Sequence, residues 1–168
     1  MYKTVRVHTA HEIERTATLA REIWTEYYPP LIGAEQTEYM LNNFQSPQAI
    51  TGAIQKEGYW YDLMTDGEYD IAYSGVLPGE ESLFVSKIYV RAKYRKKGIA
   101  RVLLRRAVDE HPKTKRIWLT VNKGNEAAIG SYQKMGFAIE DAVVTDIGGG
   151  YVMDDYIMAR PVVYGIDF

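Results

Sequence analysis

The chain has 168 residues, which fits a single domain and is enough to bury a core without covalent staples. With 46% hydrophobic residues, 25% charged residues and a net charge of −2, the composition is that of an ordinary globular protein and excludes a globally basic nucleic-acid binder. There is no cysteine, which excludes disulfides, a thiol nucleophile and thiolate metal sites and fits a reducing compartment. The opening "MYKTVRVHTAHEIERT" lacks the apolar core of a signal peptide, and no apolar run is long enough to cross a bilayer, so the chain reads as cytoplasmic.

Residues 2–8 alternate and predict a first strand. Thr9 can cap a helix over 10–27, with Ile13, Ala17, Ala20 and Trp24 on one face, and Pro29-Pro30 stops it. A second helix is expected over 35–44, ending before Ser46-Pro47. From Gly58 to Glu80 the period becomes that of a hairpin, with Asp66-Gly67 as the turn. "SLFVSKIYV" is apolar on both faces apart from Ser86 and Lys87, as in the centre of a sheet. A helix is predicted over 98–110, a buried strand at "RIWLTV", and a helix capped by Asn125 and ended by Gly136. "FAIEDAVVTD" and "YVMDDYIMARPV" are two last strands joined by "IGGG". The order is strand, two helices, three strands, helix, strand, helix, two strands, an α/β (α+β) architecture with one mixed sheet and helices on both faces.

The stretch "RAKYRKKGIAR", residues 91–101, carries six basic side chains and one glycine between a central strand and a helix start. A helix start offers unpaired N–H groups and a positive dipole end, so it suits a phosphate, and Gly98 permits close approach. On these residues alone, a solvated basic face fits equally well.

Two longer segments carry a resemblance. "VRAKYRKKGIARVLLRRAV" resembles the pyrophosphate-binding segment of the GNAT superfamily, the acyl-CoA-dependent N-acetyltransferases, whose pattern of Arg or Gln, Gly, and Gly or Ala is met by Arg95, Gly98 and Ala100. "LTVNKGNEAAIGSYQKMGF" resembles the next signature at Asn125, Ala128, Tyr132, Gly136 and Phe137. Together they cover roughly residues 83–138; the N-terminal half matches by element order only. The resemblance implies one GNAT-like domain over 1–168, with a mixed, mostly antiparallel sheet and a splayed central strand pair. It divides the chain into an acceptor-side half (1–80), an acetyl-CoA-binding core (81–138) and a C-terminal strand pair (139–168).

The implied activity is acetyl transfer from acetyl-CoA to a primary amine, by direct attack in a ternary complex. The backbone of Ile88, Tyr89 and Val90 would hold the pantetheine arm. Arg95, Lys96, Lys97, Gly98, Ile99 and Ala100 would hold the pyrophosphate, and Asn125 would reach a pantetheine amide or simply cap its helix. Tyr132 would stabilise the departing sulfur; without the resemblance it reads as a core tyrosine.

Many members carry a glutamate near the position of Ser86. Its absence leaves Glu81, Asp154 or Asp155, acting through water, as the expected bases. Without any base, the rate constant for the amine would rise with pH through about 8 to 9. His8, His11 and His111 are scattered and suggest no metal site.

Trp24, Tyr27, Tyr28, Tyr39, Tyr59, Trp60 and Tyr61, with Glu26 and Glu35, would suit a cationic amine on a small molecule, peptide or protein, or serve as core and surface. Two other classes stay open: a non-catalytic acyl-CoA-binding module on the same fold, and a nucleic-acid binder using residues 93–106. The resemblance calls for no nucleic acid and no membrane, and leaves a homodimer open.

Overall fold

Seven strands form one sheet in the computed structural model, which describes residues 1–164. They are β1 (Lys3–Arg6), β2 (Trp60–Thr65), β3 (Asp70–Pro78), β4 (Ser82–Val90), β5 (Arg116–Asn122), β6 (Ala138–Gly148) and β7 (Tyr151–Pro161). Their order across the sheet is β1-β2-β3-β4-β5-β7-β6, and every neighbouring pair is antiparallel except β4 and β5. The helices are α1 (Ala10–Tyr27), α2 (Pro29–Ile32), α3 (Ala34–Phe44), α4 (Pro47–Lys56), α5 (Ile99–Glu110) and α6 (Glu126–Lys134).

The predicted elements are present, but two helices are added. Ser46-Pro47 is a start as well as a stop: Ser46 Oγ accepts from the N–H of Ala49 at 3.1 Å, and Pro47 opens α4, where its missing N–H costs nothing. Pro29 opens the single turn of α2 in the same way. The sequence pattern alone predicts neither helix, because each proline reads as the end of the helix before it.

Helices cover both faces. Ile13, Ala17 and Ala20 of α1 and Ile50 and Ala53 of α4 pack with Tyr61, Leu63 and Tyr73. On the opposite face, Leu104, Ala107 and Val108 of α5 pack with Leu83, Val85, Ile117, Leu119 and Met158, joined by Ala128, Ile129 and Tyr132 of α6. Asp62, only 4% exposed, is held by Arg6 at 2.9 Å and Arg106 at 3.0 Å, which ties β1, β2 and α5 together.

The middle of the sheet is irregular in two linked ways. The register passes from Gly75 opposite Lys87 to Val76 opposite Val85, which leaves Ser86 as an extra residue in β4. The bulge shifts the alternation, so Leu83 and Val85 face α5 before it, and Ile88 does so after it. Pairing of β4 with β5 is confined to Ser82–Val85 against Arg116–Leu119. Beyond that point β4 stays with β3 and β5 stays with β7, and the two central strands part.

Gly75 sits opposite the bulge because nothing larger fits. A Cβ there would lie 2.8 Å from Cζ of Tyr61, a ring 1% exposed and packed under α1. Gly75→Ala should therefore lower stability by about 1–3 kcal/mol in urea unfolding. A wild-type midpoint would mean that the Tyr61 ring moves aside freely.

Candidate active site

Where β4 ends, the chain makes a 3-10 turn at Ala92–Tyr94 and then a tight connection into α5. Lys96 (φ 62°) and Gly98 (φ 79°) both adopt the left-handed conformation, which turns the backbone across the start of the helix. A Cβ on Gly98 would meet no protein atom within 4 Å, so the helix start opens onto free space. Ile99 and Leu103 are buried and anchor the first turn, whose N–H groups lack helical acceptors. Arg95, Lys96 and Lys97 are exposed around it. Arg95 donates to the carbonyl of Val90 at 3.0 Å and lies 4.9 Å over the ring of Tyr27.

The end of α1 leans over the gap between β4 and β5. Tyr27 donates to Oδ1 of Asn125 at 2.5 Å, and that oxygen also accepts from the N–H of Ala128 and so caps α6. Tyr28 stacks on Trp24 at 4.1 Å and meets the edge of Tyr89. Burial pushes its pKa up to about 12. Tyr132 reaches the gap from α6; burial raises its pKa, and the nearby Tyr28 and Tyr27 hydroxyls raise it further. Its hydroxyl is therefore a hydrogen-bond donor at any working pH.

Asp155 completes the cluster from β7. It is 2% exposed, and among the described residues its Oδ1 has no hydrogen-bond partner. Burial lifts its pKa to about 6, with the like charge of Asp154 adding to the shift. Its charge is felt at Tyr28.

Successive residues of a strand face opposite sides, so Asp154 points away, exposed and paired with Lys123 at 2.9 Å. Glu81 is not brought to the cluster either: it lies just before β4, at the far end from Val90, and pairs with Lys115. Of the three carboxylates singled out from the sequence, only Asp155 acts on Tyr28, which is also near Tyr132 and Arg95.

The aromatics singled out from the sequence divide. Trp24, Tyr27 and Tyr28 border the gap, and Tyr39 bonds the carbonyl of Ile147 at 2.7 Å, leaning the β6–β7 turn on α3. Trp60 lies under Arg6, and Tyr61 is core. Glu26 and Glu35 are exposed. The sequence pattern did not single out Phe84 and Trp118, whose rings pair at 4.3 Å on the open part of the sheet.

Several cations of the basic stretch are engaged within the chain. Arg91 pairs with Glu22, Arg106 with Asp62, and Arg101 bonds the carbonyl of Lys134. Among the described residues no cluster of three or more His, Asp or Glu could hold a metal ion, and no helix is long and apolar enough to cross a membrane.

Residues 17–137 match the model of the acetyltransferase (GNAT) family. PaiA N-acetyltransferase from Thermoplasma acidophilum, solved in complex with coenzyme A, superposes with a TM-score of 0.81 at 19% identity, covering 96% of this chain and 99% of that one. An acetyltransferase from Thermus thermophilus gives 0.71 at 19% identity, over 96% and 97%. The ribosomal-protein-S18-alanine N-acetyltransferase from Escherichia coli gives 0.65 at 21% identity, over all of both chains. At these identities the likeness is one of fold.

The unsatisfied carboxylate has a measurable cost. The folded pKa of Asp155, about 6, lies above its ordinary value of 3.8, so the folded state binds this proton more tightly than the unfolded chain. Its favourable contribution is complete below about pH 4 and is lost as pH rises through about 6. Asp155→Asn should therefore gain stability relative to wild type between pH 4.5 and pH 8, by at most about 2–3 kcal/mol. Urea melts of both proteins at the two pH values check this; a difference independent of pH would contradict it.

Proposed function

Since the chain belongs to the GNAT acetyltransferase family, we propose that it transfers the acetyl group of acetyl-CoA to a primary amine by direct attack in a ternary complex. The observation that carries this reading is the parting of β4 from β5, which leaves one edge of Ile88–Val90 free and leads to the open start of α5 at Gly98. The amides of a pantetheine arm can take the strand-edge groups that β5 does not pair. A pyrophosphate can take the first-turn N–H groups near Ile99 and Ala100, with Arg95, Lys96 and Lys97 beside it. The side-chain oxygen of Asn125 is engaged by Tyr27, so its amide N–H groups are the atoms left to meet a pantetheine carbonyl. Residues 81–138 then act as the acetyl-CoA-binding core and 1–80 as the acceptor side. The C-terminal strand pair, 139–168, supplies the base; its last four positions, 165–168, lie outside the described residues.

Bound acetyl-CoA supplies a thioester whose carbonyl carbon accepts the amine. Asp155 takes a proton from the amine nitrogen, directly or through one water. With a base near pKa 6 and a free alkylammonium near about 10, full transfer in the ground state is uphill by roughly 5 kcal/mol. Only the neutral amine has a lone pair, so this transfer precedes attack as a minor pre-equilibrium; once the C–N bond has formed, the nitrogen gives up its second proton to the departing thiolate or to solvent as the C–S bond breaks. Tyr132 stays protonated and donates a hydrogen bond to the departing sulfur. This sharpens the expectation from the sequence: its raised pKa makes it a poor acid but a dependable donor.

A simple acyl-CoA-binding module has no use for a buried carboxylate without a partner, which favours catalysis. The internal pairing of Arg91, Arg101 and Arg106 weakens the nucleic-acid alternative.

Kinetics test the assignment of roles. Tyr132→Phe should lower kcat by about tenfold or more and leave the Kd for acetyl-CoA within about twofold, because its bond strengthens only as charge reaches sulfur. In wild type, kcat/KM for the amine should rise with pH through about 6; in Asp155→Asn the rise should move to about 8–9, following the free amine. A Tyr132 variant with wild-type kcat, or identical pH profiles for the Asp155 pair, would contradict these roles.

A further inference from the structure

A charge on a central strand needs a reason, and Lys87 has no carboxylate partner among the described residues. Its face follows from register: Tyr61, Gly75 and Lys87 lie directly opposite one another across β2, β3 and β4, and Tyr61 packs under α1. Lys87 therefore emerges on the side of the sheet away from α5. Its ammonium donates to Oγ of Ser86 at 2.9 Å and lies 5.9 Å from the ring of Tyr59. No carboxylate among the described residues is within ion-pair distance of it; Glu57 acts on it only from further away. Surrounding protein desolvates the ammonium and lowers its pKa to about 8.

The same face carries an uncovered strip beside it. The tilted rings of Phe84 and Trp118 pair there, half-buried and outside every core cluster. Trp118, Thr120 and Asn122 lie opposite Ala159, Ile157 and Asp155, so these residues share that face while Leu119, Val121 and Met158 point to α5. Val85 lies opposite Leu119, and because the bulge takes up Ser86, Lys87 comes one step further on, about level with Thr120, whose partner Ile157 lies two residues from Asp155. A cation on β4 and an unsatisfied carboxylate on β7 thus lie on the same face, on either side of the gap, with the Phe84–Trp118 pair beside it.

We propose that Lys87 binds an anionic group of the acceptor, so that the acetylated molecule is a small amine that also bears a carboxylate or a phosphate on an apolar frame. The proposal rests on the acetyl-transfer reading above and narrows its acceptor. Physically, a desolvated cation without a counter-ion is costly, and an anion brought by the ligand recovers that cost through a charge-assisted hydrogen bond. The two opposite charges orient the ligand: its acid turns to Lys87 and its amine to Asp155. A plain alkylamine leaves Lys87 unpaired and adds a second cation to the same face.

The test uses matched acceptors: phenylalanine against phenylalaninamide and phenethylamine for a carboxylate, and phosphoethanolamine against ethanolamine for a phosphate. Calorimetry with the protein saturated with coenzyme A measures binding, and initial rates with acetyl-CoA measure turnover. Wild type should prefer an acid over its uncharged partner by about tenfold or more in Kd and in kcat/KM. Lys87→Met should bring that ratio to within about twofold, and Lys87→Arg should retain it. Replacing a half-buried cation that has no ion-pair partner among the described residues by an apolar side chain of similar length is expected to be neutral or stabilising, and the arginine variant covers the case of a misfolded methionine variant. A wild type with no preference for either kind of acid, or a ratio unchanged in Lys87→Met, overturns the proposal. If no amine is turned over, acetyl transfer itself is contradicted, while the calorimetric ratio still decides the role of Lys87.

Discussion

Two parallel strands at the centre of the sheet stop bonding to each other halfway along, and the rest of the site is arranged around that break. Buried backbone groups require partners. Ile88–Val90 find theirs on β3 along one edge only, because β5 has turned away with β7. The extra residue at Ser86 coincides with the parting, and Gly75, opposite the bulge, gives the ring of Tyr61 the room it needs. The open edge runs directly into the bare first turn of α5. A strip of backbone groups without a strand partner, ending in a cationic cradle, follows from where the ladder stops.

The buried charges divide into those that hold the fold and those that do not. Asp62 and Asp155 are both almost fully buried carboxylates. Asp62 is clasped by two arginines from different elements, the arrangement expected of a structural ion network. Asp155 has an oxygen without any partner and a pKa moved toward neutrality. Lys87 is its half-buried cationic counterpart, bonded to the Ser86 hydroxyl and without a carboxylate at ion-pair distance among the described residues. Groups that cost stability where they stand, gathered at one opening, are the usual mark of a site that a ligand completes.

Much of this was legible in the sequence. The apolar periods placed all seven strands and the long helices, and the resemblance carried by Arg95, Gly98, Ala100, Asn125 and Tyr132 pointed to the start of α5 and to α6. The missed helices show a limit of local signals: proline forbids the helix interior but favours its first turn, so Ser46-Pro47 reads as a boundary without saying on which side the helix lies. The bulge was visible only in hindsight. Leu83 and Val85, then Ile88, are inward positions out of phase by one, and the phase slip was hidden because Phe84 and Tyr89 make the strand apolar on both sides. The choice between Asp154 and Asp155 could not be made from composition, since adjacent strand residues exchange faces with a one-residue change of register. Glu81 looked close to the central strand in sequence but lies at its far end.

The central claim is that the gap between β4 and β5 is the acyl-CoA channel. A crystal structure of the chain with coenzyme A tests it most directly. The account predicts pantetheine amides paired with the free edge of Ile88–Val90, pyrophosphate oxygens on the first-turn N–H groups of α5, and the sulfur within about 3–3.5 Å of the Tyr132 hydroxyl oxygen. Coenzyme A bound elsewhere with the gap unfilled, or a sulfur far from Tyr132, would contradict it.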